Sequence, residues 1–178
     1  LVPMNPAIIP AVKASANKHI GVIATEATIK KGMHKQAASN LDPQIKVFGV
    51  GCPKFVPLIE TGHIHDDAID EAVQEYADKF KTSDIHSLIL GCTHYPIISE
   101  VLTKHFGKDV ALINTALETA KDAATILTKN NLLNTQEQSG SLELRFSAKQ
   151  NNSEKMAEII LGSDIPPITD VDLTTFAK

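Results

Sequence analysis

The chain has 178 residues, with 17 basic and 21 acidic side chains and a formal net charge of −4. That length suits one ordinary domain, or one and part of another; the 43% apolar share excludes a disordered chain, and the mild acidity (pI ≈ 6.0) argues against a nucleic-acid partner. No apolar run is long enough for a transmembrane helix, and two cysteines, Cys52 and Cys92, are too few for a disulfide scaffold, so a reducing, cytoplasmic setting is expected.

Leu1-Val2-Pro3-Met4-Asn5-Pro6 has no basic n-region and no apolar h-region, so it does not read as a signal peptide. Lacking Met at position 1, it reads as the interior of a longer protein. Ile20-Gly21-Val22-Ile23-Ala24 is short, apolar and β-branched, as a buried strand is. Thr25 to Asn40 follows with helical spacing at Ala27, Ile29, Met33 and Ala37, and Thr25 is a fair cap. Asp42-Pro43 turns the chain into a second strand, Ile45 to Val50. After Gly51-Cys52-Pro53 comes a short segment, Phe55 to Glu60, closed by Gly62. Asp66 to Lys81 is an amphipathic helix whose acidic first turn complements the helix dipole.

Ser87-Leu88-Ile89-Leu90 is a third, central strand ending at Gly91-Cys92-Thr93-His94. Pro96 opens a helix to about His105. Val110 to Ile113 is a fourth strand and Leu117 to Lys129 a fourth helix. Residues 130–140 are polar and loop-like. Leu142 to Phe146 reads as a half-buried strand, Ser153 to Leu161 as a helix ended by Gly162, and Ile168 to Leu173 as a last short strand. Strand and helix in alternation imply βαβ units and a parallel sheet.

In an open parallel sheet, ligands sit beyond the carboxyl ends of the strands. Cys92-Thr93-His94 lies there, before a helix N-terminus, where unpaired N–H groups favour an anion or thiolate. His94 is close enough in sequence to shuttle the thiol proton. Spacing alone equally allows Cys92 as a small buried hydrophobe and His94 as a cap. Cys52 has no His or cation beside it and reads more readily as structural. Without C-x-x-C or H-x-x-x-H near either cysteine, no metal is expected. His63 and His65 read as solvated, and Glu60 as a surface carboxylate unless the fold brings it to the site. Thr25 and Thr28 either cap a helix or turn their hydroxyls to the same crevice. No G-x-G-x-x-G or G-x-x-x-x-G-K-[ST] is present to support nucleotide chemistry.

Three segments carry a resemblance. Gly21-Val22-Ile23-Ala24-Thr25-Glu26-Ala27-Thr28, Cys52-Pro53 with Phe55-Val56-Pro57-Leu58-Ile59-Glu60-Thr61-Gly62, and Gly91-Cys92-Thr93-His94-Tyr95-Pro96 resemble, in order and spacing, the glutamate racemases of the aspartate/glutamate racemase superfamily. The resemblance covers residues 7–128 and continues faintly over 141–173. It implies an α/β fold with a four-stranded parallel sheet flanked by helices over 7–114, and a segment, 115–178, that completes an N-terminal domain. It implies interconversion of L- and D-glutamate for peptidoglycan without any cofactor, by two cysteines acting as acid and base on opposite faces of the substrate. Cys92 would be the second cysteine and His94 its proton-handling partner. Glu60 would support His94. Thr93, His94, Thr25 and Thr28 would bind glutamate, the small-molecule partner, in a chain expected to be a homo-oligomer, a dimer. The family's D-S-G-[VI]-G and C-N-T segments, the latter holding its first cysteine, do not occur. The expectation is therefore a chain with little racemase activity alone. A degenerate domain serving as a binding or regulatory module, or a racemase of another amino acid, are the competing expectations.

Overall fold

The computed structural model describes the whole chain apart from Glu137, Ser139, 149–151 and 177–178. Its elements run α1 (Ile8–Ala14), β1 (His19–Ala24), α2 (Glu26–Lys31), α3 (Met33–Leu41), β2 (Lys46–Gly51), α4 (Phe55–Glu60), α5 (Asp67–Asp78), β3 (Ser87–Leu90), α6 (Ser99–Phe106), β4 (Ala111–Asn114) and α7 (Thr115–Lys129). Then come β5 (Leu144–Phe146), α8 (Ser153–Leu161) and β6 (Ile168–Asp170). Two units separate: residues 1–59 with 63–133, and 60–62 with 134–178.

The first unit is the four-stranded parallel sheet expected from the alternation, in the order β2-β1-β3-β4. Every side chain of β3 is buried, as the apolar run Leu88-Ile89-Leu90 suits for a strand paired on both sides. Helices lie against both faces. Ile20, Val22 and Ala24 of β1 pack with Ala7, Ile8 and Ala11 around α1 and with Ala38 of α3. On the opposite face Gly21 makes room for the segment that follows α5: a Cβ there would lie 2.6 Å from Ile85 Cδ1 and 3.2 Å from Phe80 Cε1.

The register aligns the strand ends. Ala24 pairs with Gly51, Ile23 with Leu90, and Leu90 with Asn114. All four strands therefore release their chains at one level of one edge. The order also reverses there: β1 is followed in sequence by β2 on one side, and β3 is added on the other. The gap above β1 and β3 is thus the switch point at which such sheets bind ligands.

Two stretches depart from the sequence reading. The single helix read over 25–40 is two, because Gly32 adopts a left-handed φ of 66° that ends α2 and starts α3 at a new angle. Pro96 opens not an α-helix but a 3₁₀ turn, Tyr95–Ile98, before α6 begins at Ser99. Residues 8–14 form α1, whose Ile8 and Ala11 are buried.

The second unit is a small β5-α8-β6 crossover with parallel strands in the register Leu144 to Ile168 and Phe146 to Asp170. Gly162, at φ 96°, ends α8. The Asn152 side chain donates to the Glu60 carbonyl over 2.7 Å, which ties residues 60–62 to the start of α8. Among the described residues no helix is long and apolar enough to cross a membrane.

Ile89, fully buried at the centre of the sheet, tests the core. Ile89→Ala should lower unfolding stability by about 2–5 kcal/mol, seen as a lower urea midpoint with an unchanged slope.

Candidate functional site at the carboxyl edge of the sheet

Each strand end contributes a polar turn to this edge. Above β1, Thr25 caps α2: Thr28 N–H donates to Thr25 Oγ1 at 3.4 Å, and the two hydroxyls are 3.0 Å apart. One hydroxyl proton is shared between two oxygens, leaving donor and acceptor capacity for a ligand. Both side chains are half-buried. The capping and crevice roles read for these threonines are thus compatible.

Above β3, Gly91 extends the ladder past the strand, its N–H donating to the Ile23 carbonyl at 2.8 Å. A Cβ at Gly91 would lie 3.0 Å from both Ala24 Cβ and Ile23 O, so glycine suits this approach and a side chain would have to displace its neighbours. The next residue is Cys92, half-buried, with its Sγ 3.8 Å from His94 Nδ1. Thr93, between them, is exposed. A thiol touching an imidazole on one short turn forms an acid/base pair: the thiolate can take a proton and the imidazole can help to move it.

Cys52, above β2, has a different environment. It is 1% exposed, and burial pushes its thiol up to about 12. Its Sγ lies 3.6 Å from the Val50 carbonyl. The structural reading of Cys52 holds: a buried neutral thiol is a poor base. Above β4, Asn114 caps α7, accepting from Ala116 N–H at 2.9 Å. The buried Thr115 hydroxyl donates to the Leu90 carbonyl at 3.0 Å, anchoring the thiol turn from the β4 side.

Glu60 is the exposed last residue of α4. Its backbone belongs with the second unit, through Asn152. His63 is half-buried and its Nδ1 sits 2.6 Å from Asp66, the N-cap of α5. His65 is exposed, in agreement with a solvated role. Among the described residues no group of three or more His, Cys, Asp or Glu side chains is placed to hold a metal ion.

Sequence reasoning passed over two supports of the thiol turn, the Thr115 hydroxyl and the Tyr95 hydroxyl, and a neighbour of Gly91, His34. The His34 ring on α3 reaches the Gly91 position, with Cε1 3.6 Å from where a Cβ would stand. Burial lowers its pKa below the ordinary 6.5. No spacing rule joins residues 34 and 91, so only the folded chain reveals the contact.

The chain is thus an α/β protein with an open parallel sheet and a cysteine and a histidine in contact at its switch point. Residues 1–123 match the Asp/Glu/hydantoin racemase family, and the chain belongs to that family. It is 36% identical over 160 residues to a glutamate racemase of Thermoanaerobacter sp. (strain X514), covering 90% of this chain and 60% of that one. It is 37% identical over 164 residues to the Aquifex aeolicus glutamate racemase, covering 92% and 60%. The glutamate racemase of Francisella tularensis, solved with D-glutamate, superposes with a TM-score of 0.84 at 30% identity, over 96% of this chain and 62% of that one. The chain thus spans about 60% of the length of the curated relatives it matches.

Two outcomes check the site. Iodoacetamide should label the native chain once, at Cys92, by intact mass and peptide mapping; a label on Cys52 would refute the assignment of the two thiols. His34 gives a pH dependence of known sign. Its folded form favours the neutral ring, so below about 6.5 the unfolded chain binds more protons. This contribution is whole above that value and is lost as pH falls from there through the lowered folded-state value. Chemical denaturation from pH 7 to 5 should show a smaller loss of stability in His34→Gln than in the parent chain.

Proposed function

We propose that this chain carries one catalytic half of a cofactor-independent glutamate racemase, with Cys92 as one of its two acid/base thiols. The observation that supports this most directly is the 3.8 Å pairing of Cys92 Sγ with His94 Nδ1 at the switch point of the sheet. On this reading the Cys92 thiolate takes the α-proton from one face of glutamate. The C–H bond breaks, an S–H bond forms, and the electron pair is left on Cα, delocalised into the carboxylate. Reprotonation from the opposite face by a second thiol gives the other enantiomer; run backwards, Cys92 is the donor. His94 handles the thiol proton between turnovers and Glu60 supports it. Thr93, His94, Thr25 and Thr28 bind the carboxylate and ammonium groups of the substrate.

The second face is the constraint. Of the chain's two thiols, Cys52 is buried and held neutral. The residues 1–178 therefore hold one competent base where the reaction needs two. The opposing thiol belongs to an N-terminal domain that segment 115–178 completes, while residues 7–114 form the second domain. The working enzyme is a cytoplasmic homodimer supplying D-glutamate for peptidoglycan.

Polarimetry with D-glutamate tests this. The chain alone should show no racemisation above background. Fusion to the part of the Aquifex aeolicus relative that this chain does not match should produce turnover, and Cys92→Ser should abolish it. Racemisation by the 178 residues alone, or a folded fusion that binds glutamate without turning it over, would overturn the reading; the latter would favour a binding module.

A further inference from the structure

The chain has two tyrosines and no tryptophan. Both tyrosines, Tyr76 on α5 and Tyr95 after the thiol turn, are buried at 2% and 0% exposure. Both rings meet Phe55 edge-on, at centroid distances of 5.0 and 5.1 Å. Both hydroxyls bind the turn above β2, at different points. The Tyr76 hydroxyl accepts from Lys54 N–H at 3.3 Å. The Tyr95 hydroxyl donates to the Cys52 carbonyl at 3.2 Å.

The two are not equivalent. Tyr76 joins α5 to the turn above β2. Tyr95 joins that turn to the segment carrying Cys92 and His94, because Tyr95 N–H also donates to the Cys92 carbonyl at 3.2 Å. Strands β2 and β3 are not neighbours; β1 lies between them. No ladder hydrogen bond can therefore fix one turn against the other, and the Tyr95 hydroxyl does it across the intervening strand. The bond is buried, so no water replaces it when it is lost.

We propose that Tyr95 is a positioning residue for the Cys92–His94 pair, its hydroxyl holding the thiol turn against the turn above β2 while Phe55 holds its ring. This rests on Cys92 being the reactive thiol and adds a residue that touches no substrate. A buried hydrogen bond of this kind corresponds to a factor of about 2 to 10 in an equilibrium, which sets the size of the expected effect.

The experiment uses the 178-residue chain and needs no turnover. The rate of Cys92 alkylation by iodoacetamide is followed from neutral to alkaline pH in the parent chain, in Tyr95→Phe and in Tyr76→Phe, beside each variant's thermal midpoint. Both variants lose one buried hydroxyl bond to the same turn, so both midpoints should fall. Only Tyr95→Phe should displace the pH profile of alkylation, with a rate change of about 2- to 10-fold at fixed pH. Profiles displaced equally in both variants, or in neither, overturn the proposal. Phe55→Leu keeps both hydroxyls and removes the ring that holds Tyr95; it should displace the profile too, and it decides the matter if Tyr95→Phe does not fold. If Cys92 in the parent chain reacts no faster than Cys52, the thiol assignment itself fails, and the role of Tyr95 falls with it.

Discussion

The approach of Gly91 to Ile23 is the constraint on which the site depends. The ladder between β1 and β3 runs one bond beyond the strand, to a 2.8 Å contact at Gly91 N–H. A side chain at that position would press on Ile23 O and Ala24 Cβ at 3.0 Å. The glycine lets the backbone continue in register until the residue before Cys92. The thiol thus leaves the sheet at the level of Thr25, the residue after β1.

The two cysteines show how little of reactivity lies in residue type. Each follows a parallel strand in the same sheet. Cys52 is enclosed by the packing that also buries Phe55, Tyr76 and Tyr95, and desolvation favours its neutral form. Cys92 sits on a half-open turn with an imidazole against its sulfur. Dense packing below one turn encloses one thiol, while the other stands on a half-open turn.

Much of this was legible in the sequence, for reasons that separate by range. The strand Ser87–Leu90 is legible because a strand buried on both faces is mostly apolar, as Leu88-Ile89-Leu90 is. Cys92 and His94 were legible as a pair because they are two residues apart. The break at Gly32 was not, since apolar spacing persists across it and a left-handed glycine leaves that pattern intact. The supports of the thiol turn were less legible still. Thr115 reaches back 25 residues to Leu90, and Tyr95 reaches 43 to Cys52. Such contacts follow from strand order and register, which local periodicity does not encode.

On the proposed reading, the same geometry limits what this domain can do by itself. A parallel sheet presents all its strand ends at one edge, so every group it offers approaches a ligand from one side. Inverting a carbon centre takes a proton from one side and returns it on the other. No rearrangement of Thr25, Thr28, Cys92 or His94 within one edge supplies the second direction. Cys52, the remaining thiol, follows the same sheet and is enclosed. A racemase built on this architecture therefore needs a second edge facing the first. The one-sidedness of the sheet, more than the count of cysteines, makes the proposed chemistry a property of two domains.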